Sequence, residues 1–131
     1  MPEFSRARRH ERGSATVEFA LVLPLVLAVL LALVQIGVLA RDRLVLEHAA
    51  RAGAREAAVT LDPSRVRAAV LAAGPTLGVA TEVSVERSGS VGDAVSVRVD
   101  TDRAIRVPLV GWLFPPSIAM SAAATMRQEI P

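Results

Sequence analysis

Cysteine, lysine and tyrosine are absent from the 131 residues, and only four aromatic rings are present: Phe4, Phe19, Trp112 and Phe114. Without cysteine there is no disulfide framework, no thiolate metal site and no Cys nucleophile. The shortage of rings excludes a large aromatic core and the stacking platforms that bind single-stranded nucleic acid. All 15 basic residues are arginine, so a pI near 10.9 coexists with a net charge of only +2. That pI reflects missing lysine and tyrosine, and does not indicate a basic footprint. With 52% apolar and 21% charged residues the chain is not wholly disordered, and its length suits one small domain.

What is abundant is alanine, 23 residues, and aliphatic side chains concentrated in one place. From Phe19 to Ala40, 19 of 22 residues are apolar, none is charged, and only Pro24, Gln35 and Gly37 interrupt. As a helix this stretch is about 33 Å long, the hydrocarbon thickness of a bilayer. A chain this short lacks the mass to cover such a helix on every side, so the run reads as a membrane span, with Phe19, Pro24, Ala28 and Ala32 as candidate packing positions. A secretory signal usually carries an apolar stretch of about 7–15 residues, shorter than this one.

Glu18 stands at the mouth of the run, where an ionisable group is costly unless paired. It follows Arg12-Gly13-Ser14-Ala15-Thr16-Val17 and a hydrophilic leader with Arg6, Arg8 and Arg9. A cut after Gly13 makes Ser14 the new N-terminus and Glu18 its fifth residue. Glycine lets a protease approach the backbone closely. This spacing resembles the processing site of type IV prepilins, in which the apolar segment is retained.

The stretch from Glu11 to Ala58, with Val17-Glu18-Phe19-Ala20-Leu21-Val22-Leu23-Pro24 at its centre and an alanine-rich segment from Leu46 to Ala58 after it, resembles the TadE family of minor pilins or pseudopilins of the tight-adherence (Flp) pilus assembly system. Two positions depart from the family pattern: Ser14 replaces a bulkier residue common after the cut in major pilins, and Gln35 stands where many relatives are acidic. The resemblance implies a single-pass protein of the cytoplasmic membrane that is cut by a prepilin peptidase and joins other pilins and the assembly platform. It further implies that the Glu18 carboxylate meets the Ser14 amine of a neighbouring subunit, which neutralises two charges that neither subunit could bury alone. No cofactor, nucleic acid or small-molecule substrate is implied.

Four arginines precede the span and four lie in the twenty residues after it, so charge counting alone gives no orientation. The 91 residues beyond the span make a long segment of the kind that translocates with little regard to charge. The short leader therefore decides, with the N-terminus inside and the C-terminal head outside. The expected organisation is a leader at 1–13, a transmembrane helix at 14–40, a juxtamembrane extension at 41–60 and an α+β head at 61–131.

The extension has no proline, and Glu47 precedes Arg51 by four residues in the favourable order for a helical ion pair. Small residues recur at Ala49, Gly53 and Ala57, and again at Ala50, Ala54 and Ala58, a smooth strip on which another helix can approach closely. The other reading of this alanine is helix propensity alone. Asp62-Pro63 and Gly74-Pro75 bracket a second helix of about ten residues. Beyond it the period becomes two, at Val83 and Val85, at Val95, Val97 and Val99, at Ile105 and Val107, and from Ile118 to Met126. With Ser88-Gly89-Ser90-Val91-Gly92-Asp93 as a hairpin turn, this gives a small antiparallel sheet with one wet face, covered by the second helix and the rod. The segment from Val107 to Pro116 reads either as core filling, which we favour, or as a foot on the membrane or on another pilin.

An enzyme reading finds no support in the residues. His10 lies in the leader and His48 on the extension, and no phosphate-cradling loop, zinc motif or glycine-flanked nucleophile is present. After the span 11 arginines face ten acids, which leaves no stripe suited to DNA. Two alternatives to a pilin remain: an uncleaved bitopic scaffold of a secretion complex, and a secreted binding domain behind a signal peptide.

Overall fold

The structure, a computed structural model, describes residues 4–78, 80–105, 111 and 115–130, with side chains from residue 15 onward. Helix α1 (Phe4–Val59) runs unbroken for 56 residues, about 84 Å at the helical rise, and carries Pro24 within it. Helix α2 (Pro63–Ala73) follows, and then β1 (Glu82–Arg87), β2 (Ala94–Ala104) and β3 (Ser117–Arg127). The architecture is α+β, as the sequence predicts.

The start and stop of α2 follow from local chemistry. Asp62 caps it, accepting from Ser64 N–H at 2.8 Å and from Ser64 Oγ at 2.7 Å, while Pro63 fills a first-turn position that needs no donor. At the other end Gly74 N–H closes on Val70 O at 3.0 Å. The strands form one antiparallel sheet in the order β1-β2-β3, with Val85 opposite Val97 and Val97 opposite Ala124. The turn between β1 and β2 uses Gly89 and Gly92 at φ 136° and 90°, and Ser90 N–H donates to Asp93 Oδ2 at 2.9 Å.

One face of the sheet is buried, through Val95, Val97, Val99 and Ala122, and it lies on the upper part of α1. The rod contributes Leu46, Ala49, Ala50, Ala54, Ala57 and Ala58, and α2 contributes Val66 and Val70. The covering layer differs from the sequence expectation in one respect: α2 packs mainly on α1 and little on the sheet, chiefly at β1, so the rod does most of the covering. Of the predicted alternation at Ile105 and Val107, Ile105 lies just beyond β2. Val107, with Trp112 and Phe114, lies outside the described residues.

Packing between the shaft and its cover is tight at Gly53. A methyl group there would stand 2.6 Å from Val70 Cγ2 and 3.1 Å from Val97 Cγ1. Alanine favours a helix by about 1 kcal/mol over glycine, but overpacking a filled site costs about 1–3 kcal/mol. Gly53→Ala is therefore expected to gain nothing in stability and Gly53→Val to lose about 2 kcal/mol or more, as read from thermal melts of the full chain in detergent. The Asp62 cap adds a pH dependence. The Ser64 hydroxyl, and after it the Ser64 backbone N–H, hold the Asp62 carboxyl below its ordinary 3.8. A depressed carboxyl stabilises above its unfolded value and ceases to as pH falls through its folded one. The melting point should therefore be insensitive to Asp62 between pH 7 and 5 and fall below about pH 4, and Asp62→Asn should remove that component of the fall.

Candidate functional site

Among the described residues nothing buries the most apolar part of α1. Its most apolar 18-residue window is 0% buried, and by length and composition the helix is able to cross a membrane. Phe19 is 66% exposed and Leu21 75%, and Glu18 and Pro24 are exposed on the same bare shaft. Ala28 and Ala32 are half-buried, and Gly13 and Ser14 lie within α1. In water such a surface is untenable, whereas a bilayer or a bundle of like helices satisfies it.

The upper part of the shaft is two-faced. Ala49, Gly53 and Ala57, together with Ala50, Ala54 and Ala58, face inward and are buried under α2 and the sheet. The helix that approaches them in this chain is its own α2. On the outward face Glu47 bridges Arg43 Nε at 3.3 Å and Arg51 Nη2 at 3.4 Å, the second of these being the expected i,i+4 pair.

Among the described residues Arg65 of α2 pairs with Glu56 of the shaft at 2.7 Å, and two further fastenings tie the sheet to it. At the end nearer the span, Asp42 is only 8% exposed, and the Arg103 guanidinium of β2 meets it with Nε 2.6 Å from Oδ2 and Nη2 3.2 Å from Oδ1. At the far end Arg87 of β1 donates to Ala57 O and Thr60 O, both at 2.7 Å, and Glu129 N–H donates to Ala58 O at 2.9 Å. These carbonyls are orphans of the helix terminus, and a cation there also answers the dipole. Neither fastening was found from the sequence: Arg103 and Asp42 are 61 positions apart, and Arg87 and Ala57 are 30 apart. The one available signal was a lone acid, Asp42, just past an apolar run.

An open cleft of about 510 Å³ lies beside the lower fastening, lined by Gln35, Val38, Asp42, Leu77, Arg103 and Met120. It contains neither a nucleophile–base pair nor a histidine. No group of three or more His, Cys, Asp or Glu arranged to hold a metal occurs among the described residues.

A long helix, bare at one end and gripped by a small α+β head at the other, is a pilin-like architecture whose apolar end is able by length and composition to cross a membrane. Residues 13–55 match the family described as TadE-like protein, a stretch that begins at Gly13 and ends inside the head-bearing part of α1. No curated protein and no solved structure matches the chain. The match and the apolar helix together support a single-pass membrane protein associated with the Tad pilus.

Removing one partner of the lower fastening strands the other's charge. Arg103→Ala is expected to cost about 1–3 kcal/mol in thermal stability, and the double variant with Asp42→Ala less than the sum of the singles. Arg87→Ala, which frees two helix-end carbonyls, is expected to cost about 2–3 kcal/mol in the same measurement.

Proposed function

We propose that the chain is a minor pilin or pseudopilin of a Flp/Tad-type pilus or a related secretion assembly. The observation that carries this reading is the continuity of α1: a bare apolar shaft, matched to the TadE-like family from Gly13, passes without a break into the helix that bears the head. The shaft lies in the cytoplasmic membrane with the leader on the cytoplasmic side and the head outside, as the short leader and the long following segment favour. Prepilin peptidase removes residues 1–13, and Ser14 then carries a free amine next to the apolar run.

In this reading Glu18 sets register. Its carboxylate, at the edge of lipid, accepts the Ser14 ammonium of a neighbouring subunit, so that side-by-side packing through Phe19, Pro24, Ala28 and Ala32 proceeds with both charges neutralised. The chain supplies packing and no chemistry of its own, and its partners are the bilayer, other pilins or pseudopilins, and the assembly platform.

The mature protein recovered from native membranes should begin at Ser14 by mass spectrometry. A retained leader points to an uncleaved scaffold, and a start near Arg41 to a secreted domain. Glu18→Ala is expected to leave membrane insertion unchanged and to lower co-purification with partner pilins by about tenfold, the equivalent of roughly 1.4 kcal/mol. Undiminished co-purification would refute the pairing.

A further inference from the structure

Where the head grips α1 its buried residues are Asp42, Leu46, Ala49, Ala50, Gly53, Ala54, Ala57 and Ala58, which leaves the opposite side of the helix bare. That side carries Arg41, Arg51 and Arg55, a net of +3 counting His48 as neutral, while Arg43 and Glu47 offset each other on its flank, in line with the buried Ala50 and Ala54. Glu47 is already shared by Arg43 and Arg51, and Arg41 and Arg55 have no ion pair among the described residues. Leu44, 67% exposed, lies within the stripe.

The outer face of the sheet has the opposite sign. The inward positions are Val83, Val85, Val95, Val97 and Val99, so the outward ones include Glu82, Glu86, Asp100 and Asp102. Two cations share this face: Arg98, which is bound to both oxygens of Asp100 at 3.2 Å, and Arg127 at the end of the far strand β3. Four acids against two arginines leave −2. Glu82, Glu86 and Asp102 have no ion pair among the described residues.

The two surfaces also match in height. Asp102 precedes Arg103, which is bound to Asp42 between Arg41 and Arg43, so both surfaces begin at one level. Glu86 precedes Arg87, which is bound to Ala57 O two residues after Arg55, so both end at one level. Arg41 to Arg55 is about 21 Å of helix, and Asp102 to the register of Glu86, opposite Ser96, is about 20 Å of strand.

We propose that this basic helix face is the docking surface for the acidic outer sheet face of a second copy of the chain. The geometry selects this occupant over the alternatives. Lipid headgroups reach Arg41 and Arg43, but Arg51 and Arg55 stand about 16–22 Å beyond the end of the apolar run, more than a Debye length of about 8 Å. Two helix faces brought together would each present +3 and repel. Because shaft and sheet are the two outer layers of one head, copies that stand the same way in one membrane bring unlike faces together by displacement alone. The contact is heterologous, leaves a basic face free at one end and an acidic face at the other, and so propagates.

This inference rests on the membrane-spanning reading of the shaft and is independent of processing after Gly13. Because the chain has no cysteine, His48→Cys on the helix face and Ser84→Cys on the sheet face serve as clean probes in full-length chains co-expressed in membranes. Oxidation should give a dimer when both variants are present and none from either alone. Arg51→Glu with Arg55→Glu, or Glu82→Arg with Glu86→Arg, should each reduce the product about tenfold, with membrane retention and helical content unchanged. Mixing the two charge-reversed chains should restore it, because each then meets its complement. A product from His48→Cys alone, a product of another mass, or a yield indifferent to charge reversal would overturn the proposal. So would no product from chains that resist alkaline extraction. Release of the chain by alkali would instead overturn the membrane-spanning reading and this proposal with it.

Discussion

Everything in the head depends on how closely α2 and the sheet can approach α1. The described core of the head is aliphatic throughout, with no disulfide, and valine and alanine bury little area each. The chain compensates through proximity: an inward helix face of alanine with Gly53 at its centre lets Val66, Val70, Val95, Val97 and Val99 close around the backbone itself. Interiors are close-packed, and a site already at contact distance passes on any added atom as displacement. The small residues of the juxtamembrane segment thus serve the chain's own core, and the face left for other molecules is the charged one.

The polar fastenings follow from the same geometry. A helix that ends inside a head must settle its last carbonyls, and Arg87 with the C-terminal tail does so at the far end. At the near end the Asp42–Arg103 pair stands two residues past the apolar run. One fastening is mostly directional hydrogen bonding and the other mostly charge, yet both join a strand terminus to the shaft. The sheet is thereby tied at its two extremes and packed between them.

Much of this was legible in the residue order because it is local. The apolar run, the Asp62-Pro63 start, the Gly74 stop and the valine alternation each express a short-range rule, and the structure places each of them as read. The glycine turn before Ala94 and the Glu47–Arg51 pair belong to the same class. What was not legible is long-range. Nothing in the spacing of Ala49, Gly53 and Ala57 told whether the helix that covers them would be internal or foreign, since a smooth strip accepts either. Arginine at 87 and 103 read as ordinary strand residues, because a guanidinium acquires its role only when a carbonyl or carboxylate from a distant segment arrives beside it.

The shaft and the head-bearing helix are one continuous helix, with no loop between Ala40 and Arg41. Such a joint has no slack. A rotation of the buried end about its axis turns the head through the same angle, and withdrawal by one helical turn lifts the head by about 5.4 Å. With the shaft in lipid, the head acts as the visible end of a lever. Any machine that grasps this subunit from within the membrane therefore moves its outer surface stroke for stroke, and the work of extraction falls on the lipid-facing turns alone.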